Sequence, residues 1–285
     1  MNRSPADTLV AALEKHSLTK LAPKASNITI VETTTSSLKL EALVNITNPT
    51  PYTAFVPYVN IYVISSGSII GEVSAENLNV TLGNNTNLKV SALWNPSLGG
   101  DKGIRKGRDL LSSYLSGFNT SVTLQAHKGS IPMLPGLGQA LSRLNLTVSA
   151  PRISLPGKDE EEKSKFIRDA TFHVFSSTAT FTLVSPLERN TLYIEHVNAT
   201  AFYNHTEPIG HILYDLPFAC PPAGPSQTPK LPVDWSLGSV GYEKLRSALG
   251  GTMKLDAEAI VGLRVGAWSE TLWYIGKGIA ASVRV

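Results

Sequence analysis

The chain has one cysteine among 285 residues, three methionines, 16% charged residues and 7% aromatics, and it holds no long apolar run. Each shortage excludes something. A lone thiol, Cys220 within Phe218-Ala-Cys-Pro-Pro222, permits no internal disulfide and no Cys-x-x-Cys metal or redox site. Every apolar stretch falls short of the roughly 18 residues a membrane-spanning helix needs, and Met1–Ala25 hold no run suited to a secretory signal. Lys and Arg number 25 against 22 Asp and Glu, and this net charge of +3 is scattered, which argues against nucleic acid as a partner. The surface is therefore left to hydroxyls and amides. With 42% hydrophobic residues the chain is globular and long enough for one large or two ordinary domains.

What is present is alternation. Met253, Leu255, Ala257, Ala259, Val261, Leu263 and Val265 fall on one parity, with Lys254, Asp256, Glu258, Ile260, Gly262, Arg264 and Gly266 on the other. A period of two means a strand with one buried and one wet face. The same pattern predicts strands at 27–32, 37–47, 55–64, 69–82, 88–94, 118–127, 170–184, 191–203 and 208–214. Helical spacing appears at 4–18, opened by Ser4-Pro-Ala-Asp7, and again at 108–116 and 241–249. Gly99–Gly107 reads as a basic, glycine-rich loop, Pro156–Lys165 as a charged linker, and Leu216–Pro232, with six prolines, as an irregular extended passage.

The two halves align. Asn48-Pro49, Val59-Asn60 and Ile70-Gly71 match Ser185-Pro186, Val197-Asn198 and Ile209-Gly210, and Lys89–Trp94 matches Lys230–Trp235. The helix at 108–116 pairs with that at 241–249. The expected architecture is mainly β: two tandem antiparallel two-sheet sandwiches, each with a short helical insertion. Residues 1–25 form a lead-in, 26–155 the first sandwich, 156–165 the linker and 166–285 the second.

Asn-x-Ser/Thr occurs nine times, at Asn2, Asn27, Asn45, Asn79, Asn84, Asn119, Asn145, Asn198 and Asn204. Sixteen asparagines would give about three by chance. Asn45 shares the parity of Lys39 and Glu41, and Asn27, Asn119 and Asn145 likewise oppose their apolar neighbours, as a glycan projecting into water requires. The expectation is a glycosylated, lumenal or extracellular protein, with a targeting segment upstream of Met1.

The Asn-Pro strand break followed by Ile-Gly at the head of a later strand resembles the late-embryogenesis-abundant, water-stress type of immunoglobulin-like β-sandwich. Leu231-Pro-Val-Asp-Trp235 and Ala267-Trp-Ser-Glu-Thr-Leu-Trp-Tyr-Ile-Gly-Lys-Gly-Ile279 resemble a fungal family with tandem sandwiches of this kind. That resemblance covers about residues 25–285. It implies a single-pass vacuolar-membrane protein with a large lumenal part, anchored outside this chain, one member being tied to the ending of autophagy. It also implies no catalytic motif. The chain departs from the family in lacking the span, and in Ser185 where the first copy has Asn48.

The search for chemistry returns little. Gly99–Arg108 lacks the Gly-Lys-Ser/Thr of a phosphate-binding loop, though Lys102, Arg105, Lys106 and Arg108 suit anionic lipid headgroups. His196, His205 and His211 lie near Glu195, Glu207 and Asp215 without a zinc spacing. No Gly-x-Ser-x-Gly elbow is present, and Asp159–Glu162 is a solvated run. Trp268, Trp273 and Tyr274 read as core packing, or else as a rim for a membrane or pocket. The expectation is a non-enzymatic interaction or structural module that needs no cofactor and takes a protein or membrane partner. The alternative is a carrier of lipid or another apolar ligand, held in a cavity between the sheets or across the domain seam and lined by inward residues such as Leu255, Val261 and Leu263.

Overall fold

The structure, a computed structural model, describes residues 23–48, 50–150, 165–222 and 224–284. The helix expected at 4–18 and nearly all of the linker at 156–165 lie outside them. The chain divides into two compact units. The first runs through Gly107 and resumes at Thr120, and the second holds Arg108–Asn119 and everything after the linker.

In the first unit the strands are β1 (Lys24–Thr33), β2 (Leu38–Asn48), β3 (Ala54–Ser65), β4 (Ser68–Val80), β5 (Gly83–Trp94), β6 (Ser121–Gln125) and β7 (Asn145–Ser149). They form one antiparallel sheet in the order β1-β2-β5-β4-β3-β6-β7. Helix α1 (Gly100–Leu115) follows β5, with Gly100–Gly107 in the first unit and Arg108–Leu115 in the second, and α2 (Pro135–Leu141) precedes β7.

The second unit contains β8 (Ile167–His173), β9 (Thr178–Val184), β10 (Leu192–Tyr203), β11 (Glu207–Tyr214), β12 (Phe218–Cys220), β13 (Pro225–Gln227), β14 (Leu231–Pro232), β15 (Asp234–Trp235), α3 (Val240–Ser247), β16 (Thr252–Val265) and β17 (Trp268–Arg284). Its sheet closes on itself. Leu231 and Pro232 pair with Ala179 and Thr178 of β9, and two residues on Asp234 and Trp235 pair with His211 and Gly210 of β11. One pair departs from the expected antiparallel pattern: β17 runs parallel to β8, with Ala280 opposite Asp169 and Arg284 opposite His173. The core centres on Phe172, Ile209, Leu231, Leu245, Leu255, Ile279 and Val283. Met253 to Val265 point as their parity predicts, with Leu255, Leu263 and Val265 buried and Lys254, Glu258 and Ile260 exposed.

The internal repeat has a physical basis. Ile70 and Ile209 are both fully buried. Gly71 faces Trp94 across β4 and β5, and Gly210 faces Trp235 across β11 and β15. A Cβ on Gly71 would lie 2.2 Å from the Leu93 carbonyl oxygen, and one on Gly210 2.8 Å from Val233 Cγ1. The backbone next donates from Asn95 to Ile70 O at 3.0 Å, and from Ser236 to Ile209 O at 2.9 Å. Ile-Gly thus seats a core plug and lets a tryptophan strand come close.

Three expectations give way. The basic loop at Gly99–Gly107 is helical from Gly100, eight residues before the expected start. Gly99, Gly103 and Gly107 form a stripe pressed onto Ile69, Pro96 and Trp94, and a Cβ on Gly103 would be 2.3 Å from Pro96 O and 2.7 Å from Ile69 O. A close approach of the same kind occurs at Gly241 of α3, against Pro208 O at 2.6 Å. Second, 170–184 is two strands, turned at Ser177 with φ 49° and no glycine or proline to mark it. Third, Leu216–Pro232 carries three short strands, β12 pairing with β10 and β13 and β14 with β9.

Candidate functional site

The eight sequon asparagines within the described residues are all exposed; Asn2 lies outside them. Asn27 sits at an irregularity of β1 with φ 52°, and Asn204 in the β10–β11 turn with φ 51°. Asn79 faces Phe55 across β4 and β3, Asn119 follows α1, and Asn145 opens β7. Three side chains are held in place. Asn45 Oδ1 accepts from the Asn87 amide at 2.8 Å, Asn84 Oδ1 from the Thr47 hydroxyl at 2.9 Å, and Asn198 Oδ1 is 2.8 Å from His211 Nε2. Each contact uses the carbonyl oxygen and not Nδ2, the atom that carries a glycan.

Two asparagines outside any sequon hold the fold. Asn48 is buried and fully engaged: Nδ2 donates to Tyr52 O at 2.7 Å and Thr81 O at 3.1 Å, while Oδ1 accepts from the amide and hydroxyl of Thr50. One side chain thus organises the proline break. Asn85 does the same for the β4–β5 turn, bonding Thr81 and Gly83. At the second copy of the break, Ser185 Oγ accepts the Leu187 amide at 3.1 Å. The Asn-Pro pair was legible as a turn, but its four hydrogen bonds were not.

The histidines go separate ways. His205 Nδ1 contacts Asp256 Oδ2, His211 contacts Asn198, and the His196 ring lies over Gly262, where a Cβ would be 2.2 Å from Nδ1. Among the described residues no three His, Cys, Asp or Glu side chains converge as metal ligands. Burial pushes Asp256 up, but the Gly278 amide at 2.8 Å, His205 and Lys277 outweigh it and hold the carboxyl below its usual range.

A polar groove of about 380 Å³ lies on the second unit, lined by Glu195, His196, Gly262, Arg264, Ser269, Glu270 and Thr271. Its charges cancel in pairs. Arg264 Nε donates to Glu195 at 2.7 Å and its guanidinium lies 4.3 Å from the Tyr193 ring centroid; Arg108 donates to Glu270 at 2.8 Å and 3.0 Å. Among the described residues no hydrogen bond joins His196 to Ser269 or Thr271. Sequence reasoning missed it, because β10, β16 and β17 bring it together from stretches some 70 residues apart.

Inside the second unit, Phe181, Ile194, Val197, Ile212, Val261 and Tyr274 enclose an apolar cavity of about 70 Å³. Ligand pockets run to roughly 300–1,000 Å³. Val261 lines it, whereas Leu255 and Leu263 are packed away at 4% and 3% exposure. The carrier reading expected an open apolar pocket there, and this cavity is smaller than a ligand of that kind needs. Cys220 is fully buried beside Ser226 and Ser185, and burial raises its thiol pKa, as for an inert packed cysteine. Trp268 and Tyr274 are core residues, while Trp273 points outward and meets Phe118 with ring centroids 6.4 Å apart. Of the basic residues, Lys102 and Arg105 are exposed on α1 and Arg108 is paired.

The mainly β fold of both units fits a tandem of β-sandwich domains. Residues 21–139 match the family described as "Tag1-like fourth LEA-2 like domain", and residues 159–273 match "Tag1-like fifth LEA-2 like domain". The chain therefore carries a tandem pair of Tag1-like LEA-2-like domains. No curated protein matches it. Among solved structures it is similar to the YadV chaperone at 10% identity, over 87% of this chain and 100% of that one, with a TM-score of 0.17, too low to inform the fold.

Proposed function

We propose that the chain is the lumenal, N-glycosylated portion of a fungal vacuolar-membrane protein, and that it acts as a non-enzymatic interaction or structural module in vacuole or autophagy regulation. The observation that carries this reading is the exposure of all eight described sequon asparagines on a surface otherwise poor in charge. The Tag1-like domain match supports it, since LEA-2-like domains are generally non-enzymatic. In this reading Lys102 and Arg105, exposed on α1, meet anionic headgroups. The test is made in the source organism with the chain tagged in place. Endoglycosidase treatment should increase its gel mobility, and protease should spare it in intact vacuoles until detergent is added. A chain unaffected by the glycosidase and digested in intact vacuoles would overturn the lumenal assignment.

A further inference from the structure

The outer face of the second unit carries an apolar row with a sequon in its middle. Asn198 on β10 is paired in register with Leu213 of β11 on one side and with Ile260 of β16 on the other, and Ile260 is paired in turn with Trp273 of β17. Neighbouring strands lie about 4.8 Å apart, so these side chains form one continuous stripe. Leu213 is 58% exposed and Ile260 46%, while Ile212, next to Leu213 in sequence, is buried. Two large aliphatic groups that flank Asn198 on a wet sheet face leave apolar surface that a cover would shield. The Asn198 amide is not free to turn, because His211 Nε2 meets its Oδ1 at 2.8 Å. Thr200, the hydroxyl residue of the sequon, lies two residues on along the same face.

We propose that an N-glycan on Asn198 is that cover, its first sugar rings lying across Leu213 and Ile260 with their C–H faces against the aliphatic groups. The inference rests on the lumenal, glycosylated reading above. The donor is a lipid-linked oligosaccharide diphosphate. Asn198 Nδ2 forms the bond to sugar C1 and gives up one amide proton, the C1–O bond to the diphosphate breaks, and the lipid diphosphate leaves with the electron pair. Asn198 Oδ1 remains an acceptor after transfer, so the His211 contact survives and aims the sugar along the row. A protein partner on the same stripe would have to displace a covalently tethered group.

The test expresses the full chain behind a secretory leader in a glycosylating host and maps occupancy at each sequon by mass spectrometry of its peptides. Asn198 should be occupied. Both Asn198→Gln and Thr200→Ala, which remove the glycan in different ways, should bind more of an apolar-surface dye and elute as larger species on size exclusion. Thr200→Ser, which keeps the sequon, should behave as wild type. Adding Leu213→Thr and Ile260→Thr to Asn198→Gln should return the monomer. An empty Asn198 beside occupied sequons elsewhere overturns the inference and leaves the glycoprotein reading intact, as does an Asn198→Gln chain indistinguishable from wild type in both assays. Self-association of the fully glycosylated chain that Leu213→Thr and Ile260→Thr abolish would overturn it in favour of a docking face. Absence of sugar from every sequon overturns both readings.

Discussion

Gly103→Ala tests the helix packing most sharply, because two well-known effects oppose each other there. Inside a helix, alanine is favoured over glycine by about 1 kcal/mol, so propensity alone predicts a more stable protein. Yet the new Cβ would be 2.3 Å from Pro96 O and 2.7 Å from Ile69 O, inside the 3.0 Å that Cβ atoms keep. Both neighbours are backbone atoms, from the turn after β5 and from β4, and neither can swing aside as a side-chain end can. Overpacking of this kind costs about 1–3 kcal/mol, and two simultaneous clashes place the cost at the upper end. The net expectation is a loss of about 1–2 kcal/mol, read as a fall of roughly 3–8 °C in the thermal transition of the first unit. Gly241→Ala should do the same to the second unit, where Pro208 O and Glu207 O stand at 2.6 Å and 2.7 Å. Gly136→Ala in α2 supplies the control. Nothing lies within 4 Å of its Cβ position, so it should be neutral or gain a few tenths of a kcal/mol. The assay is thermal and urea unfolding followed by circular dichroism. If Gly103→Ala matches or exceeds wild type while Gly136→Ala behaves as stated, the close-packing argument is wrong.

Three further expectations follow from single side chains. Asn48→Ala removes four hydrogen bonds at a buried turn and should destabilise the first unit by about 2 kcal/mol or more in urea unfolding, whereas Ser185→Ala in the second unit should cost about half that. Tyr274 and Tyr114 both have pKa values raised above 10.0 by burial, Tyr114 also by Glu188. The unfolded chain therefore loses these protons first, and their contribution to stability, intact below pH 10, should fall as pH rises beyond it. Tyr274→Phe should flatten that alkaline limb in a melting series, and an unchanged limb in a Tyr114→Phe, Tyr274→Phe double variant would count against it. Asp256 has the opposite sign: its lowered pKa gives stability above 3.8 that is lost as pH falls, so Asp256→Asn should blunt the acid limb of the same series.

How much was legible follows from the range over which each signal acts. Parity is local, and it correctly divided β16 into the buried Leu255, Leu263 and Val265 and the exposed Lys254, Glu258 and Ile260. The repeat was legible because Ile-Gly and the tryptophan strand are fixed by packing in both copies. The start of α1 was hidden because glycine is the second-worst helix former, and only the nearby carbonyls of Ile69 and Pro96 explain why glycine is required. The turn at Ser177 was hidden because serine took a positive φ that usually signals glycine or asparagine. The prolines of 216–232 pointed to irregular chain, yet Pro225 and Pro232 sit in very short strands, where a missing N–H is tolerated. Of the surface, the sequon asparagines could be read directly, whereas the polar groove required the pairing of β10, β16 and β17.

The parallel pairing of β17 with β8 fixes an order of events during synthesis. The first unit can complete its sheet once β7 has emerged, with the second unit still unmade. The second cannot close until its final turn of chain arrives, because residues 280–284 must return to residues 169–173 made more than a hundred positions earlier. Until then Phe172 and Ala170 have no Val283 or Ala281 beside them, and an apolar strand stands open. A chain cut before residue 280 would lose far more than the pairing of those five residues. It would hold a first domain able to finish and a second one waiting for a partner strand that never comes.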